Sequence, residues 1–255
     1  MSLPRLRLSE EWQTFWLAIS FLTRLPVLIN IDYSPRLMSN SSTYFPLVGL
    51  LLGIIYAAAY SVLEIMFSPL VAVLLVMVLH LWLTGAFHED GLADSLDGLG
   101  GGYTLEDRLR IMKDSQIGTY GVIALVMALL LKAALLVESQ VTWLALLIAP
   151  CISRLTPLLL MRWLPYITGK KTSKTGPVAN AFPTERLLPA VLFTVLVIAL
   201  GSFWLQALAP LALAATLGVA LIWGSYLKRQ LGGHTGDSLG ACVVFSELVL
   251  LAGLV

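Results

Sequence analysis

The chain has 255 residues, of which 58% are hydrophobic and 12% charged, and its mean hydropathy is +0.87. An average soluble domain carries roughly 25% charged residues, so this composition excludes a globule coated by water. A formal net charge of +1 gives no electrostatic reason to expect nucleic-acid binding.

The expected fold class is all-α: one polytopic transmembrane helical bundle occupying residues 1–255, with about seven spans and an N-terminal interfacial helix. The opening stretch "MSLPRLRLSEEWQTFW" has charges but no compact apolar core followed by a small-residue cleavage site, so no cleavable signal peptide is expected. Within the cytoplasmic and interfacial segment 1–43, Glu11 to Leu25 is short and amphipathic. Its Trp12 and Trp16 lie one helical turn apart, as suits the headgroup level. Apolar runs then predict spans at Tyr44–Met66, Pro69–Phe87, Ile117–Val137, Val141–Met161, Leu187–Ala209, Leu211–Leu227 and Ser238–Val255, several approaching the roughly 20 residues a crossing helix needs. Cys151 and Cys242 sit in separate apolar runs and read as small core residues, not as a disulfide or metal pair.

Numbering the connections alternately by side tests this topology. One side receives Arg5, Arg7, Arg24, Arg36, Arg108, Arg110, Lys113, Arg162, Lys170, Lys171, Lys174, Arg186, Lys228 and Arg229. The other receives the tight turns near Ser68, Ser139 and Pro210 and the C-terminus, with no lysine or arginine. By the positive-inside rule the basic side is the cytoplasm. The polar motifs share it, so any chemistry is expected to be cytoplasmic.

The first of these motifs is the acidic loop 88–116, beginning in "GAFHEDGLADSLDGLGGG". If helix continues past Phe87, Asp90, Asp94 and Asp97 stand at i, i+4 and i+7 on one face. Like charges so placed repel, the more so beside a low-dielectric bilayer. Three carboxylates there predict a compensating cation, and hard oxygen ligands with room for water point to Mg²⁺ or Mn²⁺. The competing reading is a solvated helix start with incidental acids. Gly91 permits close approach to the backbone, and "GLGGG" from Gly98 is expected to stop the helix and offer bare amides to an anion. Glu89 points off this face and reads as structural. His88 is either a ligand or an interfacial histidine bonded to a carboxylate.

In "TLEDRLRIMKDSQIGTYG", Thr104 with Asp107 predicts a helix cap. Asp114, placed in the last turn against the helix dipole, predicts a positive neighbour, either metal or Arg110 and Lys113. Gly118 and Gly121 open the next span and allow close packing. The second dense motif, "KRQLGGHTGDSLGA", holds His234, Thr235 and Asp237 and reads as an anion- or metal-binding turn, or as an ordinary N-cap. Glu247 lies inside the last span, where an unpaired carboxylate costs about 3 kcal/mol. Lys132 and Arg154 are the basic residues available within spans to pair with it, and Arg154 has the alternative of clamping a phosphate. The basic loop within 162–186, "ITGKKTSKTGPVAN", carries Lys170, Lys171 and Lys174 and suits either anionic headgroups or a polyphosphate. Arg24, Tyr44 and Pro46 read mostly as interface anchors.

Carboxylates from distant segments converging on one membrane face resemble a two-metal phosphoryl-transfer site. The rival from another class is an ion-coupled transporter using Glu247, Arg154 and Lys132. A transporter would want its acids near mid-membrane, whereas these lie on one side.

The segment "TGAFHEDGLADSLDGLGGG" followed by "RLRIMKDSQIGTYG", with "FLTRLP" before and "LGGHTGDSLGA" after, closely resembles the adenosylcobinamide-GDP ribazoletransferase (cobalamin synthase, cobalamin-5′-phosphate synthase) family, from Phe15 to the C-terminus. The resemblance implies that adenosylcobinamide-GDP and α-ribazole, or its 5′-phosphate, give adenosylcobalamin, or its 5′-phosphate, plus GMP, with Mg²⁺ required. With this reaction, Asp90, Asp94 and Asp97 are assigned as catalytic metal ligands and Asp114 and Asp237 as further ligands or as groups that support the ligands, one carboxylate taking the proton of the attacking hydroxyl. Gly91, Gly98, His88, Arg154, His234, Thr235, Lys170, Lys171 and Lys174 are the substrate-side candidates. The expected location is the bacterial cytoplasmic (inner) membrane, with the lipid bilayer as partner. Whether the chain forms a homo-oligomer is left open. In logic the arrangement also resembles the CDP-alcohol phosphotransferases, which supply the alternative function.

Overall fold

Proline marks where several helices begin, because its missing N–H is no loss in a first helical turn. Pro35, Pro46, Pro69 and Pro157 each stand at such a start. The computed structural model describes residues 3–27, 29–31, 33–167 and 182–255. In chain order its helices are α1 (Leu3–Leu22), α2 (Pro35–Ser41), α3 (Phe45–Met66), α4 (Pro69–Thr84), α5 (Phe87–Gly101), α6 (Leu105–Ile111) and α7 (Thr119–Glu138). They continue with α8 (Thr142–Ser153), α9 (Thr156–Trp163), α10 (Thr184–Gly201), α11 (Leu208–Leu213), α12 (Val219–Leu231) and α13 (Gly236–Ala252). A π-helical turn, Ala214–Gly218, joins α11 to α12. Extended pairing among the described residues is confined to an isolated bridge between Tyr166 and His234.

Each of the seven expected spans overlaps at least one helix, but fewer than seven are long and apolar enough to cross. Five stretches are long and apolar enough to cross a membrane: Pro35–Met66, Thr119–Glu138, Thr142–Trp163, Thr184–Gly201 and Leu208–Leu231. A sixth element, α4 with α5, passes as a pair but is bent by 85°. The stretch expected to run straight through Phe87 instead breaks at Gly85 and Ala86, both left-handed at φ 66° and 55°. α13 has 17 residues and lies within the bundle against α5, α8 and α9. The N-terminal helix is longer than predicted and does more than lie on the surface: it packs on α2 and α3, burying Leu17, Ala18 and Leu22.

The closest packing is between α3 and α8. A Cβ added at Gly49 would stand 2.1 Å from the Pro150 carbonyl oxygen, and one at Gly53 2.0 Å from that of Leu147. Glycines four apart let the two backbones touch, the small-residue mode of association in membranes. Inside the bundle Lys132 of α7 pairs with Glu247 of α13 at 3.0 Å, both buried. This resolves which basic residue answers Glu247. Removing one member of such a pair strands the other, at about 3–5 kcal/mol. Lys132→Met is thus expected to lower the thermal midpoint of detergent-solubilised protein sharply, and Lys132→Met with Glu247→Leu to recover most of the loss.

The polar connections gather at one end. Arg108 donates to the Gln230 carbonyl at 2.7 Å, Thr43 Oγ1 to that of Arg186 at 3.2 Å, and Arg186 forms a fork with Glu11. These bonds tie the N-terminal region, the acidic loop and the segments flanking the basic loop to one pole of the bundle.

Candidate active site

The acidic helix is held in place before its carboxylates do anything. At the bend, the Arg24 amide donates to the Leu83 carbonyl at 2.7 Å, and its guanidinium lies where a Gly85 side chain would be. Across the bend, His80 of α4 bonds through Nε2 to Glu89 of α5 at 2.9 Å and through Nδ1 to the Tyr56 hydroxyl of α3 at 3.1 Å. Glu89 is structural, as its place off the acidic face suggested. The carboxylate-bonded histidine is His80, which the sequence reading passed over. The signal was there: a histidine inside an otherwise apolar run, nine residues before an acid.

α5 then runs between α7 and α13. Gly91 meets α13 backbone to backbone, with the Asp237 oxygen 2.7 Å from where a Cβ would stand. This contact carries Asp237 onto the acidic face. Asp90 is exposed and Asp94 half-buried. The carboxylates of Asp90, Asp97 and Asp237 all lie near enough to repel that of Asp94, and Lys113 acts on Asp237 with the opposite sign.

Asp97 is already engaged. Nearly buried, it accepts the amides of Gly118 at 2.7 Å and Gly121 at 2.8 Å and so caps α7. A side chain at either glycine would strike this carboxylate, so the close packing expected of Gly118 and Gly121 is directed at Asp97. α5 does not stop at Gly98 but continues to Gly101. Gly98 lets Met112 and the Arg108 carbonyl approach the backbone of α5 closely. Thr104 caps α6 as predicted, its hydroxyl accepting the Asp107 amide at 3.1 Å. α6 ends at Ile111, earlier than expected, and Asp114 lies beyond it, exposed, accepting the Gln116 amide at 3.0 Å.

In the second motif Thr235 is the N-cap of α13, in a reciprocal box with Ser238. His234 is buried with neither ring nitrogen bonded among the described residues, and its ring centroid is 5.6 Å from that of Tyr166. Burial pushes its imidazole down to about 4, so it is neutral at pH 7. His88 is buried beside Arg154 and makes no hydrogen bond to a carboxylate among the described residues. Lys170, Lys171 and Lys174 lie outside the described residues.

Among the described residues no three His, Cys, Asp or Glu side chains are gathered tightly enough to hold a metal ion as they stand. The donor chemistry nevertheless fits a hard divalent cation. Asp90 and Asp94 accept no side-chain hydrogen bond from the described residues, and the surrounding carboxylates repel one another, as anionic oxygens do without a cation between them.

The fold and this face define a helical membrane protein whose polar chemistry sits on a broken helix at one pole. Residues 14–255 match the family model described as cobalamin-5-phosphate synthase. A relative from Vibrio cholerae, the adenosylcobinamide-GDP ribazoletransferase, is 44% identical over 95% of this chain and 93% of its own. Those of Vibrio parahaemolyticus, 39% identical over 97% and 94%, and Shewanella pealeana, 40% identical over 94% and 95%, carry the same name. No solved structure matches. The chain belongs to the cobalamin-5-phosphate synthase family.

Proposed function

We infer that this chain is the ribazoletransferase of cobalamin assembly, joining adenosylcobinamide-GDP to α-ribazole or its 5′-phosphate with release of GMP. Family membership supports the reaction, and the observation that supports placing it on this face is Asp94, crowded by three carboxylates from two helices. The ribazole hydroxyl oxygen forms a bond to the cobinamide-side phosphorus. The bond from that phosphorus to the bridging oxygen breaks, GMP carries away the electron pair, and the hydroxyl proton passes to a carboxylate.

Asp90, Asp94 and Asp237 are the residues we assign to hold Mg²⁺, with Asp97 fixing α5 against α7. When bound, the ion would screen the diphosphate and favour the leaving phosphate. Asp94, flanked by other acids, is the candidate to accept the proton. The His80–Glu89 bond keeps these side chains aimed at the pole. The site then faces the cytoplasm from the bacterial inner membrane, in keeping with the distribution of lysine and arginine.

The transporter reading loses its basis, since Glu247 and Lys132 are closed on each other. Purified protein given adenosylcobinamide-GDP, α-ribazole and Mg²⁺ is expected to release GMP in step with corrinoid product. Chelation with EDTA should stop it and added Mg²⁺ restore it. No GMP from these substrates, or consumption of a CDP-alcohol instead, overturns the reading.

A further inference from the structure

A guanidinium is shut inside the bundle at the break between α8 and α9. Arg154, the residue after the end of α8, is 1% exposed. Its Nη1 donates to the Pro150 carbonyl at 2.8 Å, one turn back along the same helix. Nε and Nη2 are buried and have no partner among the described residues. These two nitrogens form one edge of the guanidinium, so a whole side of the fork is unspent. The buried acids are engaged elsewhere: Glu247 with Lys132, Glu89 with His80, and Asp97 with the amides that open α7. Glu89 keeps Oε2 unbonded, yet makes no ion pair with Arg154. A cation buried in this way is costly without an anion beside it.

Arg154 lines a cavity of about 30 Å³ between α1, α3, α5, α9 and α13. Two helices begin at its wall, α9 through Pro157 in the first turn and α13 through Gly236 and Gly240 in the first two turns. Both dipoles present their positive ends there and add to the field of Arg154. No acid lines the cavity, and His88 is its other titratable member. The rest of the wall is apolar, with the rings of Phe21, Phe45 and Phe87. This combination selects by size. The volume holds about two waters. An oxyanion in it would press unbonded oxygens against phenyl rings. A monoatomic anion accepts both N–H groups and has no further oxygen to satisfy.

We propose that this cavity is a resident halide site, with chloride the ion, held by Nε–H and Nη2–H of Arg154 where α9 and α13 begin. The ion neutralises the guanidinium and ties the α8–α9 break to α13. Gly240, in the same wall, packs 3.4 Å from the Cα atoms of Gly91 and His88. The site therefore braces the contact that brings Asp237 beside the acidic face, without belonging to that face.

The test measures binding of radiolabelled chloride to purified, detergent-solubilised protein by equilibrium dialysis. Thermal midpoints are compared in mixtures of sodium chloride and sodium gluconate at constant ionic strength. Wild type is expected to hold a single saturable chloride per chain, displaced by bromide and not by gluconate. Its midpoint should climb with the logarithm of chloride concentration once the site fills, as ligand linkage requires. Arg154→Met should lose both the bound ion and the chloride dependence. Val243→Leu lengthens an apolar side chain of the same wall. It should weaken binding with the guanidinium intact, and it locates the site should Arg154→Met fail to fold. Absence of saturable chloride, displacement by gluconate as readily as by bromide, or binding unchanged in either variant that folds overturns the proposal. So does release of the chloride by GMP or adenosylcobinamide-GDP, which would assign the cavity to the substrates. The transferase reading stands or falls separately, on GMP release.

Discussion

Asp94→Asn is expected to lower GMP release by about 10³-fold or more, within the range for loss of a positioned acid or base, while the protein still inserts and melts near the wild-type temperature. Asp94 is half-buried and bonded to no side chain among the described residues, so the fold does not depend on its charge. Its neighbours Asp90, Asp97 and Asp237 repel it, and removing one negative charge relieves that repulsion. A thermal midpoint equal to or above wild type, with turnover gone, is the signature of a carboxylate kept for chemistry. Asp97 supplies the contrast. It caps α7 through two amides, and losing a cap costs about 1 kcal/mol, so Asp97→Ala should lower the midpoint as well as the rate. Wild-type turnover in purified Asp94→Asn would remove this residue from the reaction.

Gly53→Val should be the most damaging change outside the acidic face. The new Cβ would stand 2.0 Å from the Leu147 carbonyl oxygen, a contact with backbone that no rotamer relieves. α3 and α8 would have to part along their whole contact, and α8 with α9 is the most buried of the candidate spans. Overpacking a dense interior costs about 1–3 kcal/mol and occasionally more, and the rigid neighbour here puts the expected loss at the upper end. The measurement is the yield of monodisperse protein after detergent extraction, with Gly53→Ala as the milder step. A Gly53→Val protein that extracts and melts like wild type would show that α3 and α8 do not meet through this glycine.

Much of the second prediction was open to a reader of the sequence. "GLLLG", residues 49–53, is a small residue spaced by one turn from another in an apolar helix, and only its partner was hidden. Likewise Glu247 inside an apolar run demanded a cation, but Lys132 and Arg154 were equal on paper. The bundle chose Lys132 and left Arg154 facing a cavity. The bend at Gly85 and Ala86 was not legible, because a left-handed alanine has no sequence signature. Asp97 looked like Asp94 in spacing and differs from it only through the helix end that lies against it.

Composition and the distribution of lysine and arginine determined by themselves that this is a helical membrane protein with its polar motifs at one end. The reason is that bilayer partition and charge asymmetry are sums over residues and need no partner to be named. Tertiary structure alone decided which acid meets which base, which aspartate caps a helix, and where the Arg154 guanidinium keeps two nitrogens without a partner among the described residues. Those outcomes depend on contacts between residues up to 175 positions apart, as between Glu11 and Arg186, which periodicity within one helix cannot carry.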